Sequence, residues 1–448
     1  MEISPLSLAR TQFALSLNFH VLFAAFAMAL AWVLCLFKYQ SNLRPDSAWT
    51  AAYRFWVRIF ALSFFVALAS ALPVLVEFGV LWPALMERAG NVAGPIIACG
   101  ITTVFVTKSV FFGVMLFGQR RVSPSAHLAS VFMVALGLTA TVFWEVVLQS
   151  WSHVPSGTVL VEGRLRVQDW IEVIMNSALI WCMLLYVTGG ILTLGVLMQG
   201  LTAWQARRRP LEENERLVYR VGLYLTFVAI ALQLFALDGS LRLMARIHPL
   251  AAASIMGYWD GHASPDMIWL GVPGDGEQAN RVLIGTEGLA ARWLGLDDDS
   301  KRIGLDMVAE STDLPAVNTL FYLARLIFVG TLFLLMMSIL TVYMMWRRGE
   351  QAEKYPGWIL RTQIWTAGLG AFIWLCVWNL MQTSQHAYFV SGMLLTGDLV
   401  TNASSYAIGA GLVVIGLLYL VLFSGFMQML LHAARFGVVP VRKPGVKG

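Results

Sequence analysis

Charged residues and cysteines are scarce in this sequence. Only 13% of the 448 residues are charged, whereas 58% are hydrophobic. A soluble globular domain has about 25% charged and about 45 to 50% apolar residues, so this composition excludes an ordinary soluble protein and indicates an integral membrane protein. The four cysteines lie within apolar runs and in no paired spacing, which excludes a disulfide framework and a zinc-binding pattern.

Several signatures of well-known enzyme classes are also missing. The sequence contains no phosphate-binding loop, nucleophile elbow, HExxH zinc motif or CxxCH haem attachment motif, and no internal repeat is apparent. We expect no cleavable signal peptide, because Arg10 interrupts the N-terminal segment and the apolar run after it is long enough to cross a bilayer. Candidate functional residues are therefore sought inside the membrane.

Long apolar runs are abundant. About 20 consecutive, mostly apolar residues cross the hydrocarbon core as one helix. Nine such runs predict an all-α integral membrane protein with nine transmembrane helices, numbered here spans 1 to 9. The runs lie near residues 11–37, 55–83, 94–118, 126–150, 171–203, 218–240, 317–346, 359–390 and 399–432.

Basic residues collect after the odd-numbered spans. They are Lys38, Arg44, Arg54, Arg58, Arg120, Arg121, Arg207, Arg208, Arg209, Arg216, Arg347, Arg348, Lys354, Arg435, Arg442 and Lys443. Because basic loops favour the cytoplasmic side, we expect a bacterial inner-membrane protein with a periplasmic N-terminus and a cytoplasmic C-terminus. These loops also account for the net charge of +5, so no nucleic-acid partner is indicated.

The spans divide the chain into three regions. Residues 1–240 carry spans 1 to 6, residues 241–316 form a long periplasmic loop, and residues 317–448 carry spans 7 to 9. The loop is too small and too polar for a core of its own, so we predict a lid that lies on the helix bundle. A shorter outer loop, 151–170, predicts a β-hairpin, with His153 in contact with solvent.

Three spans carry an ionisable side chain within an apolar run: His20 in span 1, Lys108 in span 3 and Glu145 in span 4. Such residues are costly in hydrocarbon and are functional hypotheses by default. Two interpretations stay open for His20, a metal ligand or an imidazole hydrogen-bonded to a facing serine or backbone carbonyl. Lys108 needs a polar neighbour, and His20, Glu77 and Glu145 are the candidates, although Glu145 lies nearer the outer end of its span.

Further polar residues lie toward the outer ends of other spans. Glu77 in span 2 is close enough to the interface to reach water by snorkelling. Span 7 carries Arg325, and span 8 carries Gln382 and His386. Such a cluster suits either the edge of a buried haem or a hydrogen-bonded network between helices.

Several short segments follow one another along the chain in a specific order and spacing. They are residues 10–20, 52–64, FG-x-x-W at 78–82, GNVAGP at 90–95, 111–122, YVTGG at 186–190, and the lid segments 250–253, Trp259-Asp260 and the stretch that ends at Pro273. These segments resemble subunit I of the cytochrome bd quinol oxidases, in particular its cyanide-insensitive branch. The resemblance implies a nine-helix bundle with a periplasmic quinol-binding lid, in which the His20 position ligates a high-spin haem.

Most functional residues implied by the resemblance are replaced. The family's two helix-3 glutamates fall at Gly100 and Lys108, and the low-spin haem's histidine and methionine fall at Ile180 and Ile327. Arg325, beside the methionine position, is kept and remains a candidate cofactor contact. The helix-8 glutamate falls at Gln382, its GRQPW motif at residues 384–388, and the lysine and glutamate of the quinol loop at Pro249 and Ser254.

These replacements predict a divergent subunit I-like membrane subunit of a respiratory electron-transfer complex that does not oxidise quinol by itself. Isoleucine has no lone pair for iron, so we expect at most one haem, on His20, or none, and quinone binding is doubtful. The expected surroundings are membrane lipid and a subunit II-like or other redox membrane subunit. An active terminal oxidase with altered haem ligands is the alternative, and a transporter or channel using Lys108 and Glu145 is a third.

Overall fold

The computed structural model describes residues 4–45, 47–259, 266–273, 281–294, 304–305 and 316–436. Within these residues, nine helices are long and apolar enough to cross a membrane, and they confirm the nine predicted spans. Spans 1 to 9 are Pro5–Leu43, Ala48–Val80, Pro83–Arg120, Pro124–His153, Trp170–Ala206, Glu213–Ile247, Val317–Arg348, Gly357–Thr383 and Ser405–Arg435. The orientation of the termini stays a prediction.

Three of the spans are built from more than one helical segment. Span 3 contains a π-helical turn, Lys108–Phe112, between two α-helices, and spans 5 and 8 each join a short helix to a longer one. The α-helices are α1 Pro5–Leu43, α2 Ala48–Val80, α3 Pro83–Thr107, α4 Gly113–Phe117, α5 Pro124–His153, α6 Trp170–Ile174, α7 Leu179–Ala206, α8 Glu213–Ile247, α9 Pro249–Met256, α10 Leu289–Leu294, α11 Val317–Arg348, α12 Gly357–Trp365, α13 Leu369–Thr383 and α14 Ser405–Phe436.

Local signals fix where several helices begin. The side chain of Ser4 accepts a hydrogen bond from the backbone N–H of Ser7, and a proline occupies the first turn of α1. Ser123 caps α5 in the same way, and α8 starts with a reciprocal capping box between Glu212 and Glu215. These caps satisfy backbone donors that would otherwise lack partners at a helix start.

Helix α1 lies at the centre of the bundle and packs against α2, α5, α7, α13 and α14. The glycine pair of α7 allows two of the closest approaches. A Cβ on Gly190 would lie 2.4 Å from the backbone oxygen of Ala25 in α1, and a Cβ on Gly189 would lie 2.2 Å from the ring of Trp374 in α13. Small residues at such crossings let membrane helices approach closely, which fixes the frame around His20.

The described residues of the loops form three two-stranded antiparallel sheets. Strands β1 Thr158–Val161 and β2 Arg164–Val167 confirm the predicted hairpin. Strands β3 Met267–Val272 and β4 Arg281–Thr286 lie in the predicted lid. Strands β5 Tyr388–Val390 and β6 Leu394–Leu395 follow span 8.

The lid region rests on the helix bundle through a shared apolar cluster. Ala252 and Met256 of α9 and Leu294 of α10 are buried together with Ala245 of α8, and α9 packs against both α8 and α11. Within the sequence motifs quoted above, Asp260 lies outside the described residues, as do Arg442 and Lys443 of the C-terminal basic group. The described secondary structure of the lid consists of α9, α10 and the β3–β4 hairpin.

Candidate functional site: a polar-edged cavity beside His20

A cavity of about 500 Å³ lies among α1, α2, α3, α5 and α13. Its wall is mostly apolar, and its polar residues come chiefly from α1, α5 and the outer end of span 8. Four predicted site residues, His20, Glu145, Gln382 and His386, line it together, whereas Arg325 and Lys108 are not among its lining residues. The other polar lining residues are Arg10, Asn18, Thr141, Gln149, Ser152, Asn379, Thr383, Gln385, Tyr388 and Thr396.

Both ring nitrogens of His20 have partners. Nδ1 lies 3.1 Å from the backbone oxygen of Ala67 and 3.1 Å from Oγ of Ser70, while Nε2 lies 3.2 Å from Oε1 of Glu145. The serine and the carbonyl are the kinds of partner that the hydrogen-bonded interpretation of the sequence predicts. The contact with Glu145 was not predicted, because the sequence suggested Glu145 only as a candidate neighbour of Lys108.

Glu145 connects His20 to span 5. Its second carboxylate oxygen accepts a hydrogen bond of 3.0 Å from the hydroxyl of Tyr186. The side chains of His20 and Glu145 are 13% and 28% exposed, and both line the cavity. Three helices, α1, α5 and α7, thus each contribute one member of a hydrogen-bonded row.

A second row of hydrogen-bonded side chains joins α13, near the end of span 8, to α5. The amide of Gln382 donates to Oε1 of Gln149 at 2.8 Å, and the amide of Gln149 donates to Nε2 of His153 at 2.8 Å. Deeper in the bundle, Asn18 and Asn379 exchange hydrogen bonds of 3.2 and 2.9 Å between their side-chain amides. The polar cluster predicted from the sequence is therefore a network that joins α1, α5 and α13.

The prediction that His153 contacts solvent is wrong. His153 is the last residue of α5 and is only 7% exposed. Its backbone oxygen accepts a hydrogen bond of 3.2 Å from Nε2 of His248, the residue between α8 and α9. Burial lowers the pKa of His248, and this hydrogen bond partly offsets the effect. Helix α5 runs three residues past the predicted end of span 4, which carries His153 inside.

The snorkelling interpretation of Glu77 is also wrong. Glu77 is 2% exposed, and its Oε1 accepts hydrogen bonds from Gln12 at 3.0 Å and from Ser16 at 2.9 Å. Gln12 and Ser16 lie one turn apart on α1, so their side chains reach the same carboxylate oxygen. Depth along a span does not reveal whether a residue faces lipid or a neighbouring helix.

The prediction that Lys108 lies beside His20, Glu77 or Glu145 is also wrong, in the opposite direction to that for Glu77. Lys108 begins the π-helical turn of span 3 and its side chain is exposed at the outer face of the bundle. Among the described residues it has neither a hydrogen bond nor an ion pair, and His20, Glu77 and Glu145 have other partners. Its neighbour Thr107 takes the inward position instead and is 4% exposed.

Arg325 binds the lid rather than the cavity. Its guanidinium donates to the backbone oxygens of Ile255, Met256 and Ile268, with distances of 3.3 Å to Met256 and 2.7 Å to Ile268. It also donates to the oxygen of Phe321 at 3.1 Å and lies 3.5 Å above that ring. Arg325 therefore ties α11 to the end of α9 and to strand β3.

The low-spin haem positions implied by the family resemblance do not fit that cofactor. Ile180 is 57% exposed and Ile327 is 4% exposed, and neither side chain can donate a lone pair to iron. The next residue, Trp181, packs so closely on span 6 that a Cβ on Gly239 would lie 2.1 Å from its ring. Neither position therefore offers iron a ligand, and beside Ile180 the helix contact is made by Trp181.

The fold and the cavity define a class: a multi-pass helical membrane protein with an imidazole beside a cofactor-sized space between its helices. A model of the family described as cytochrome bd terminal oxidase subunit I matches residues 8–438. The chain therefore belongs to the cytochrome bd terminal oxidase subunit I family.

Two curated relatives match nearly the whole chain, and both come from Bacillus subtilis (strain 168). Cytochrome bd ubiquinol oxidase subunit 1 is 21% identical over 438 residues, covering 94% of this chain and 91% of the relative. The putative cytochrome bd menaquinol oxidase subunit I is 23% identical over 442 residues, covering 96% of each chain. These matches agree with the extent of the family model.

Another relative and a solved structure complete the comparison. Cytochrome bd-II ubiquinol oxidase subunit 1 of Escherichia coli (strain K12) is 25% identical over 263 residues, so the match spans 58% of this chain and 51% of that protein. The structure of bd oxidase from Geobacillus thermodenitrificans superposes with a TM-score of 0.85 at 18% identity, covering 97% of this chain and 99% of the other. At that identity the likeness supports the fold alone.

Several site residues were missed by sequence reasoning. Asn18, Gln149, Tyr186 and Asn379 each lie in an apolar run, and no spacing marks them as partners. A search for every amide or hydroxyl within the predicted spans would have found them, because unsatisfied polar groups in hydrocarbon need a neighbour. Which of them meet still depends on helix rotation, and the sequence alone does not give it.

Proposed function

We propose that this chain is a subunit I-like membrane subunit of a respiratory electron-transfer complex and is not a self-sufficient quinol oxidase. The single observation that carries the proposal is the low-spin position, where Ile180 and Ile327 replace the implied ligands and Trp181 packs against Gly239. A low-spin haem needs two side-chain donors to iron. Electron entry by way of such a haem is therefore not part of the proposed function.

The lid supports the same proposal. At the positions that the resemblance assigns to quinol acid–base residues, Pro249 begins α9 and Ser254 is buried with its hydroxyl donating to the oxygen of Leu250 at 2.8 Å. Quinol oxidation releases protons, and a general base must stand within hydrogen-bonding reach to take them. Neither residue supplies such a base, so in this proposal the lid is a structural cap held by Arg325.

Lys108 supports a partner subunit. In the apolar 18-residue stretch of span 3, only 17% is buried within the chain, against 61% in the corresponding stretch of span 1. A lysine near the middle of a membrane span costs about 2.5 to 3.5 kcal/mol unless it is paired or reaches water. We therefore propose that span 3 packs against a subunit II-like or other redox membrane polypeptide that offers Lys108 a carboxylate.

The partner proposal is tested by purification of the tagged chain from native membranes in mild detergent. We expect a second multi-pass polypeptide to co-purify with wild type and with Lys108→Arg, and to be reduced about tenfold in Lys108→Met, a change of about 1.4 kcal/mol. Arg120→Met, at the inner end of the same span, is the matched control and should retain the partner. Full retention by Lys108→Met would contradict the role of this lysine.

The catalytic part of the proposal is tested on the same purified complex. We expect no low-spin b-type signal in the reduced-minus-oxidised spectrum, at most one haem per chain, and no quinol-dependent oxygen consumption attributable to this chain. Quinol oxidase activity that is lost on His20→Ala would instead favour an active oxidase with altered ligands.

A further inference from the structure

We propose that Glu145 hydrogen-bonds to Nε2 of His20, the ring nitrogen that would otherwise bind iron, and so keeps haem out of the cavity. This inference deepens the proposed function, which allows one haem on His20 or none. It rests on the contacts of three side chains from three helices: His20 on α1, Glu145 on α5 and Tyr186 on α7.

The first step is the position of the proton on Nδ1 of His20. Nδ1 has two hydrogen-bond contacts, with the backbone oxygen of Ala67 and with Oγ of Ser70, each at 3.1 Å. The Ser70 hydroxyl donates its own hydrogen to the same oxygen of Ala67 at 2.8 Å. Both neighbours can therefore only accept from the ring, so Nδ1 carries a hydrogen.

The second step concerns Nε2. With a hydrogen on Nδ1, a neutral imidazole has its lone pair on Nε2, and Nε2 lies 3.2 Å from Oε1 of Glu145. Two lone pairs at that distance repel, so the contact is a hydrogen bond only when the His20–Glu145 pair holds one further proton. That proton uses the lone pair that a haem iron would need.

The third step is the placement of the carboxylate. The Tyr186 hydroxyl donates to Oε2 of Glu145 at 3.0 Å, which leaves Oε1 directed at His20. Tyr186 itself is buried, at 1% exposure, and packs edge-on against Trp374 with ring centroids 5.1 Å apart. Tyr186 is a positioning residue, because its hydrogen bond is to Glu145 and it acts on His20 through that carboxylate.

Iron binding would require breaking this arrangement. The Nδ1–H to carbonyl contact is typical of histidines that ligate metals, and the adjoining cavity of about 500 Å³ provides room for a large ligand. Glu145 is the residue that prevents His20 from ligating iron, because its carboxylate lies against Nε2. Replacing Glu145 by an apolar residue should therefore free Nε2 while leaving the Ala67 contact unchanged.

The test is haem binding by purified chain, expressed with added haem precursor. Haem per chain is measured by pyridine haemochromogen, and the affinity for added haemin is measured by titration of the absorption spectrum. We expect little haem in wild type, and about tenfold tighter haemin binding in Glu145→Ala and Glu145→Val, a change of about 1.4 kcal/mol, because the competing hydrogen bond to Nε2 is removed. The gained species should have a high-spin spectrum.

Two further variants make the result specific. His20→Ala combined with Glu145→Ala should lose the gained binding, because the freed nitrogen is removed. Glu77→Gln, a change at another buried carboxylate that does not line the cavity, should bind haemin as wild type does. Size-exclusion profiles confirm which variants fold, and two apolar replacements guard against a variant-specific folding failure.

The opposing outcomes are equally defined. A haem in wild type that disappears on His20→Ala would overturn the inference but would leave the proposed function standing. Unchanged haemin binding in both folded Glu145 variants, or a non-haem metal found on the His20–Glu145 pair, would also overturn it. A low-spin b-type signal with quinol oxidase activity would instead overturn the proposed function.

Discussion

At the residue scale, two groups of polar side chains inside the bundle pair with one another across helices. His20, Glu145 and Tyr186 form one row, and Glu77 holds Gln12 and Ser16 in another. Each row joins helices that apolar packing alone would leave free to shift along or around one another. Their arrangement therefore fixes the rotation of α1 against α2 and α5.

The Asn18–Asn379 pair gives a prediction at this scale. A double-mutant cycle with Asn18→Ala and Asn379→Ala should yield a coupling free energy of about 0.6 kcal/mol and at most about 1.7 kcal/mol, the range for hydrogen bonds between membrane helices. Unfolding in mixed detergent measures it. Additive single-variant effects would show that the two amides do not stabilise α1 against α13.

The sequence predicted which residues are polar and how deep they lie, but not which way they point. Glu77, Lys108 and His153 all illustrate this. A helix turns by about 100° per residue, so moving one position exchanges Lys108 for Thr107 on the inward face. The Glu145 contact with His20 was missed for the same reason, because the helix tilt and length that bring the two together are tertiary properties.

At the scale of elements, the positions of the spans follow from composition, whereas the attachment of the lid to α11 depends on Arg325. The ends of all nine predicted spans lie within about a few turns of the observed helices, since apolar run length decides where a helix crosses. The docking of α9 and β3 on α11 was not predicted. It depends on Arg325 donating to three lid carbonyls, and carbonyl acceptors leave no signal in the sequence.

Replacing Arg325 should therefore loosen the lid. We expect Arg325→Ala to weaken lid docking by about 2 to 4 kcal/mol, because hydrogen bonds to a charged group contribute about 1.5 to 3 kcal/mol and the buried carbonyls would lose their donors. Limited proteolysis between residues 241 and 316 measures the change. Arg242→Ala is the control, because its ion pair with Asp238 is exposed and lies within one helix; equal cleavage of both variants would contradict the prediction.

The junction between α8 and α9 should respond to pH. Burial lowers the pKa of His248 in the folded protein, and the unfolded value is about 6.5. The unfolded chain then binds more protons at acidic pH, so the stability contributed by neutral His248 is present above about 6.5 and is lost as the pH falls below it.

The measurement is the apparent melting temperature in detergent at pH values from about 8 down to about 5, where histidine titrates. Wild type should lose stability on acidification, and His248→Gln should show a smaller slope because it removes the titrating group. Parallel curves for the two proteins would rule out His248 as the source of the pH dependence.

At the scale of the whole molecule, the bundle is that of its family, whereas the proposed function rests on altered chemistry at the ligand positions that the resemblance implies. The chain superposes on the Geobacillus thermodenitrificans bd oxidase with a TM-score of 0.85 at only 18% identity. Packing tolerates such divergence when small and large apolar residues are kept in register. A haem ligand set would not tolerate it, because an isoleucine in place of a histidine, as we propose for Ile180, removes the lone pair that iron needs.

The measurement that tests the central claim most directly is the reduced-minus-oxidised absorption spectrum of the complex purified from native membranes, combined with haem quantification per chain. With Ile180 and Ile327 at the low-spin positions, we predict no hexacoordinate b-type signal from this chain and at most one haem. A low-spin b-type signal assigned to this chain, or more than one haem bound to it, would contradict the account.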